Sequence, residues 1–314
     1  MMDAIERQQR LCREDRELCP RLAPGHVQLP LVRNGAPRRV VRYRERMTVP
    51  SPHARIEHAG TDRFARSLRY LYRVPLLLWH LLVDLPLVLL LMSPLSGRLR
   101  LGGRRLEHRL SETWSAGLLW IFGLHLRRFG MPLPGATVFV ANHVSWVDIV
   151  MLHSQRAMGL VAKHEIARWP LVGWMAQRGG TIFHRRGSTE SLGGVLHEMR
   201  ARLHAGRSVG VFPEGRTRDG REVGPFHARI FLAAVEAGVP VQPVALRYGA
   251  RGDAQTAVAF QPGEHFFGNF LRLLGEPARP AEVHFLEPII PGEAGGRRRI
   301  AELARERIVA AMES

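Results

Sequence analysis

The rhythm of apolar and polar positions changes twice along the chain. Residues 1–66 are Arg-rich, with scattered Pro and no sustained apolar period. Such a stretch has too little contiguous apolar surface to offset the entropy of ordering it, so a mostly disordered extension is expected, with a short helix near 3–18. No apolar run follows the first Met, so a secretory signal is not expected, and Met47 is a candidate biological start. Residues 74–92 (VPLLLWHLLVDLPLVLLLM) then form the most apolar stretch, nineteen residues that could just span a bilayer as a helix. Asp84 sits mid-stretch and would cost about 2.5–3.5 kcal/mol at the bilayer centre. His80, four residues earlier, lies on the same helical face and can pair with it, and Pro86 predicts a kink. Arg63, Arg66, Arg69 and Arg73 precede the run, and Arg98, Arg100, Arg104, Arg105 and Arg109 follow it. Positive charge on both flanks fits a monotopic or re-entrant helix with both ends cytoplasmic better than a single span, and a buried core helix is the bland alternative. A second helix, about 104–129, carries Trp114, Leu118, Leu119, Ile121 and Phe122, with Gly130 as its stop. Residues 67–130 are therefore expected to form a two-helix membrane-associating hairpin.

From 131 onward short β-rich runs (137–141, 157–162, 180–184, 208–212 and 240–247) alternate with helical patterns near 146–155, 168–178, 189–205 and 227–237. A later strand at 283–287 and a basic helix at 297–312 complete this part. The alternation predicts an α/β fold over 131–314, with a largely parallel central sheet flanked by helices.

Composition changes the picture little. Of 45 Lys+Arg one, Lys163, is lysine, leaving 44 Arg, and the formal net charge is +17. So lopsided a ratio is more simply a coding bias than selection for nucleic acid, although surplus positive charge favours anionic surfaces such as phospholipid headgroups. A nucleic-acid-binding reading leaves 74–92 unexplained, and aromatics make up only 7% of the chain. The two cysteines, Cys12 and Cys19, exclude a disulfide scaffold and a multi-cysteine zinc site, and weakly suggest a reducing compartment. No G-x-x-x-x-G-K or H-E-x-x-H occurs. No metal or cofactor is expected.

The candidate chemistry lies at strand ends. Asn142-His143-Val144-Ser145-Trp146-Val147-Asp148 follows an apolar strand and offers a general base with a carboxylate to orient it. Five residues are about 140° apart on a helix, so the two side chains meet only if His143 sits in the strand-to-helix turn and Asp148 in the first helical turns. Phe212-Pro213-Glu214-Gly215-Arg216-Thr217 also follows an apolar strand, and Gly180–Arg186 ends another in positive charge. Open α/β sheets build their sites at such strand ends. The Pro-interrupted strand Val239–Val244 is a fourth block.

These four blocks, in this order, resemble the glycerolipid acyltransferase family, specifically the bacterial 1-acyl-glycerol-3-phosphate acyltransferases, over about residues 70–314. Ala162–Ile166, followed by Pro170 and Gly173, is similar to a further family segment. One departure is the order Arg216-Thr217 in place of Thr-Arg after F-P-E-G, which bears on the acceptor headgroup. The resemblance implies direct transfer of a fatty acyl group from acyl-ACP or acyl-CoA to the sn-2 hydroxyl of 1-acyl-glycerol-3-phosphate at the cytoplasmic face of a bacterial inner membrane, giving phosphatidate. Another lyso-lipid, such as lyso-ornithine lipid, is the alternative acceptor. His143 would act as general base and Asp148 would hold its tautomer. The acceptor site is expected from Arg186, Glu214, Gly215, Arg216 and Thr217, with the two arginines gripping phosphate and Glu214 orienting the glycerol hydroxyls or fixing Arg216. Lys163 is expected to line the site and stabilise an oxyanion or phosphate, against the alternative of a solvated strand-end lysine. A membrane scaffold without catalytic activity is disfavoured because His143 and Asp148 are both present.

Overall fold

A seven-stranded sheet in a computed structural model organises the chain, which is described over residues 52–92, 99–101, 104–169, 172–185 and 189–314. The expectations for residues 1–51 fall outside the described residues. Helix α1 (Pro52–Trp79) passes through a π-helical turn, His80–Asp84, into α2 (Leu85–Leu91), and α3 (Leu106–Ile121) packs back against them. There follow β1 (Leu124–Phe129), β2 (Val138–Ala141), α4 (Val147–Gln155), β3 (Gly159–Lys163), α5 (Val172–Arg178), β4 (Ile182–His184), α6 (Thr189–His204) and β5 (Val209–Val211). The chain ends with α7 (Leu232–Ala237), β6 (Val241–Tyr248), α8 (Gln255–Val258), α9 (Phe266–Leu274), β7 (Arg279–Phe285) and α10 (Arg297–Glu313).

The strand order is β1-β7-β6-β2-β5-β3-β4. Every pairing is parallel except β6 with β7. The expected α/β architecture, with a mostly parallel sheet flanked by helices, is present. The central strand β2 is buried throughout, and its alternating side chains feed two cores. Phe139 and Ala141 join α3, α4 and α9 on one face, while Val138 and Val140 join α6, α7 and α10 on the other. Because β2 to β6 run parallel, the ends of these strands share one rim, and the loops carrying the candidate chemistry all leave from it.

Three local expectations change. Residues 52–66, read as part of a disordered extension, are helical. Downstream on the same helix the Arg66 guanidinium pairs with Glu276, Arg69 donates to the Gly275 carbonyl and Arg73 donates to the carbonyls of Leu274 and Glu276. These contacts just beyond the end of α9 hold α1 in place, and they are long-range, so periodicity does not reveal them. Residues 124–129, expected inside the second helix, form β1 and pair parallel with β7. The helix ends instead at Gly123 (φ 73), where a Cβ would meet the Arg73 guanidinium and approach Ala278 Cα at 3.1 Å. The last strand begins at Arg279, four residues before the expected 283, because it is extended by its pairing with β1.

Arg63–Leu91 is long and apolar enough to cross a membrane by length and composition, and only 17% of its apolar window is buried. That burial is too small for a core helix. The His80–Asp84 pair forms at 2.9 Å, and the His80 ring stacks on Trp114, with Nε2 3.0 Å from the Trp114 carbonyl. The break expected at Pro86 takes the form of the π turn just before it, since Pro86 enters α2 in its first turn without an N–H to donate.

Candidate active site

The turn between β2 and α4 wraps around one carboxylate. Asp148 lies in the first turn of α4 and is fully buried. Its Oδ2 accepts the backbone N–H of Val144 at 2.6 Å and of Ser145 at 2.8 Å, and faces His143 Nδ1 at 2.8 Å. Its Oδ1 accepts the Tyr248 hydroxyl. The geometry requires His143 outside the helix and Asp148 just inside it, which is the placement the spacing predicts. A buried carboxylate paired with backbone N–H groups is an acceptor, so Nδ1 donates to it, and in the neutral ring Nε2 carries the lone pair. Nε2 has no hydrogen-bond partner among the described residues, and the His143 side chain is 13% exposed. The ring stacks on Phe212, 4.0 Å between centroids and 16° from parallel.

The loop after β5 is knitted to this turn. Glu214 Oε1 accepts the His143 N–H at 2.8 Å, Glu214 Oε2 accepts the Gly224 N–H at 2.9 Å, and the Arg218 N–H donates to the His143 carbonyl at 2.8 Å. Arg218 Nε lies 3.2 Å from Glu214 Oε2, an ion pair whose angle falls short of a hydrogen bond. Burial pushes the Glu214 carboxyl above the usual range, while the N–H groups of Gly224 and His143 pull it down. Glu214 was expected to orient acceptor hydroxyls or to fix Arg216. Its carboxylate is instead turned inward, and its cationic partner is Arg218. Gly215 turns the loop at φ 72, and a Cβ there would come within 3.1 Å of the His227 ring. Arg216 is exposed and has no carboxylate partner among the described residues, with Thr217 half-buried beside it.

The other expected residues are spread along the rim. Lys163 ends β3, two strand spacings from β2, about 10 Å at ~4.8 Å per strand. Its side chain is 45% exposed and pairs with Glu165 at 3.4 Å. Arg186 lies outside the described residues; β4, which leads to it, ends at His184.

Sequence reading gives three supporting residues no role. Asn142 extends the β2–β6 ladder with its side chain, donating to the Leu246 carbonyl at 3.0 Å and accepting its N–H at 2.8 Å. Asn269, fully buried on α9, accepts from Trp146 Nε1 at 3.0 Å and from Ser145 Oγ at 3.3 Å, so α9 holds the His143–Asp148 turn from outside. Tyr248 reaches Asp148 from the end of β6, a strand whose expected range stopped one residue short of it. A tyrosine closing an apolar strand on the site rim was the available signal. Nothing local marked Asn269.

Known proteins resemble this chain in sequence and in fold. A family model described as Acyltransferase matches residues 130–247, the span from just after β1 through the His143–Asp148 turn into β6. A lyso-ornithine lipid O-acyltransferase from Pseudomonas aeruginosa is 37% identical over 201 residues, covering 64% of this chain and 76% of that protein. A 1-acyl-sn-glycerol-3-phosphate acyltransferase from Neisseria gonorrhoeae is 37% identical over 135 residues, covering 43% of this chain and 53% of that protein. The crystal structure of a 1-acyl-sn-glycerophosphate acyltransferase from Thermotoga maritima shares the fold, with a TM-score of 0.62 at 19% identity over 80% of this chain and 96% of that one. A buried Asp–His turn locked to an F-P-E-G loop, within a chain this similar along most of a relative's length, makes the protein a member of the acyltransferase family that includes the lyso-ornithine lipid and 1-acyl-sn-glycerol-3-phosphate acyltransferases.

Proposed function

We propose that the protein transfers a fatty acyl group from a thioester donor, acyl-ACP or acyl-CoA, to the free hydroxyl of a membrane lyso-lipid bearing an anionic group. The observation that carries this reading is His143, with Nδ1 bound to a buried carboxylate and Nε2 free on the rim. Nε2 takes the proton of the acceptor hydroxyl as its oxygen attacks the thioester carbonyl. The C–S bond then breaks, and the proton passes from the imidazolium to the departing thiolate. The acceptor oxygen is itself the nucleophile, so no acyl-enzyme is needed.

Arg216, exposed and without a carboxylate partner among the described residues, supports an acceptor with a phosphate or carboxylate. On that basis 1-acyl-glycerol-3-phosphate is the first acceptor reading, with phosphatidate as product and Arg186 as a second phosphate ligand. Lyso-ornithine lipid is the second, and a separate observation favours it: the Pseudomonas aeruginosa relative named for that lipid is matched over 76% of its length. The exposed apolar helix Arg63–Leu91, packed with α3, supports a monotopic or re-entrant anchor at the cytoplasmic face of a bacterial inner membrane. Lys163 is a candidate for the donor side of the rim, and a Lys163→Met protein with normal kinetics would remove it from the site.

The test is acyl transfer by purified protein in detergent or vesicles, offered each lyso-lipid separately. Product should form with at least one acceptor and be lost in His143→Ala, by roughly 100- to 10,000-fold. Unchanged turnover in His143→Ala would overturn the mechanism, and the ratio of kcat/KM between the acceptors decides the substrate.

A further inference from the structure

Asp148 accepts four hydrogen bonds, but they are unevenly shared. Oδ2 takes three of them, from Val144, Ser145 and His143. Oδ1 has the Tyr248 hydroxyl as its recorded partner. Tyr248 closes β6, a hundred residues along the chain from Asp148. It is 0% exposed, packed in the core with Phe139 and Leu246, and its own N–H is held by Gln255 at 3.1 Å. No substrate can touch it. Burial, with the Asp148 charge beside it, pushes its phenol well above the usual range, so it stays a donor.

Resting on the reading of His143 as the base, we propose that Tyr248 is a positioning residue of the acyl transfer. Its hydroxyl holds the Asp148 carboxylate in the plane that presents Oδ2 to His143 Nδ1. It also draws charge away from that carboxylate and so moderates its pull on the imidazolium. The backbone bonds to Oδ2 restrain one end of the carboxylate only, and rotation about that end is stopped at Oδ1. The other ionisable groups around the pair are Glu214 and Arg218 from the loop after β5, and behind Asn269 the Glu264–Arg272 pair of α9. None of them reaches Oδ1 by a recorded hydrogen bond.

The experiment is the pH dependence of kcat in the full-length protein, with a heteronuclear NMR titration of the His143 ring alongside. In Tyr248→Phe, Oδ1 loses its partner while the ring packing remains. The expected result is about a tenfold fall in kcat, unchanged KM for donor and acceptor, and displacement of both the acid limb and the ring titration to higher pH. Replacing Tyr248 with 3-fluorotyrosine, a stronger donor of nearly the same shape, should keep kcat near wild type and move both in the opposite direction. This second variant also covers the case in which Tyr248→Phe fails to fold. A Tyr248→Phe protein with both titrations unmoved, or one whose lost activity only follows its lost folded fraction, would overturn the proposal. Wild-type turnover independent of His143 would overturn the base assignment and this proposal with it, so the two failures are told apart.

Discussion

Glu214 is buried and braces the candidate site from within. Its two oxygens accept N–H groups from two different segments, His143 and Gly224. A glutamine can accept on one arm only, and its amide N–H₂ would confront the other donor. Glu214→Gln should therefore loosen the joint between the two loops and lower kcat about tenfold, with a smaller change in acceptor KM than Arg216→Ala. Arg216→Ala is expected to raise acceptor KM with kcat nearly unchanged, the mark of uniform binding, in steady-state assays at varied lyso-lipid. His143 and Asp148 were legible in the sequence because both lie in one turn. Tyr248 and Asn269 were not, because they arrive from a distant strand and helix, and Glu214 was legible as a site residue but not as the brace of this turn.

At the scale of elements, α9 is the joint of the molecule. One side holds the catalytic turn through Asn269, and the carbonyls at its end receive Arg69 and Arg73 from α1. Arg73 is buried, and Arg73→Leu leaves the carbonyls of Leu274 and Glu276 without their donor. The expected loss is about 3 kcal/mol of stability, read by denaturant unfolding. Glu264 fixes the start of α9. Hydrogen bonds from Arg272, chiefly, and from Asn269 and Gln261 hold its carboxyl down at about 2, against an ordinary value of 4.5. A folded value below the unfolded one means that Glu264 contributes stability above pH ~4.5 and loses it as the pH falls toward ~2. Thermal melts across that window should fall less steeply in Glu264→Gln than in wild type; identical slopes would exclude the linkage. The sequence reading predicted neither α8 nor α9: α8 is four residues long, and α9, although strongly amphipathic, is only nine residues with Gly268 and Asn269 inside it.

At the scale of the whole molecule, the proposed membrane anchor combines an exposed apolar helix with a formal charge of +17. Apolar burial sets the depth of insertion, and surface charge favours anionic lipid. Flotation with vesicles should therefore be tighter for anionic than for zwitterionic lipid. The difference should shrink between about 0.1 and about 1 M salt, as screening shortens from ~10 Å to ~3 Å, while the apolar component persists. Binding that vanished completely at high salt would exclude insertion of α1 and α2. Three of the arginines that precede the apolar run, Arg66, Arg69 and Arg73, are engaged with the protein, so the surface charge available to lipid is smaller than the flanks of the helix suggest.

The sequence alone determined the alternation of strands and helices, the blocks of chemistry at strand ends, the His–Asp turn and the His80–Asp84 pair. All of these depend on residues within a turn or two of one another, where periodicity and sterics act directly. Tertiary packing decided the strand order, the assignment of 124–129 to the sheet, the inward turn of Glu214 and the hydrogen bonds of Tyr248 and Asn269 to the catalytic turn. Those contacts join segments far apart in the chain, and only the closing of a common core brings their donors and acceptors within reach.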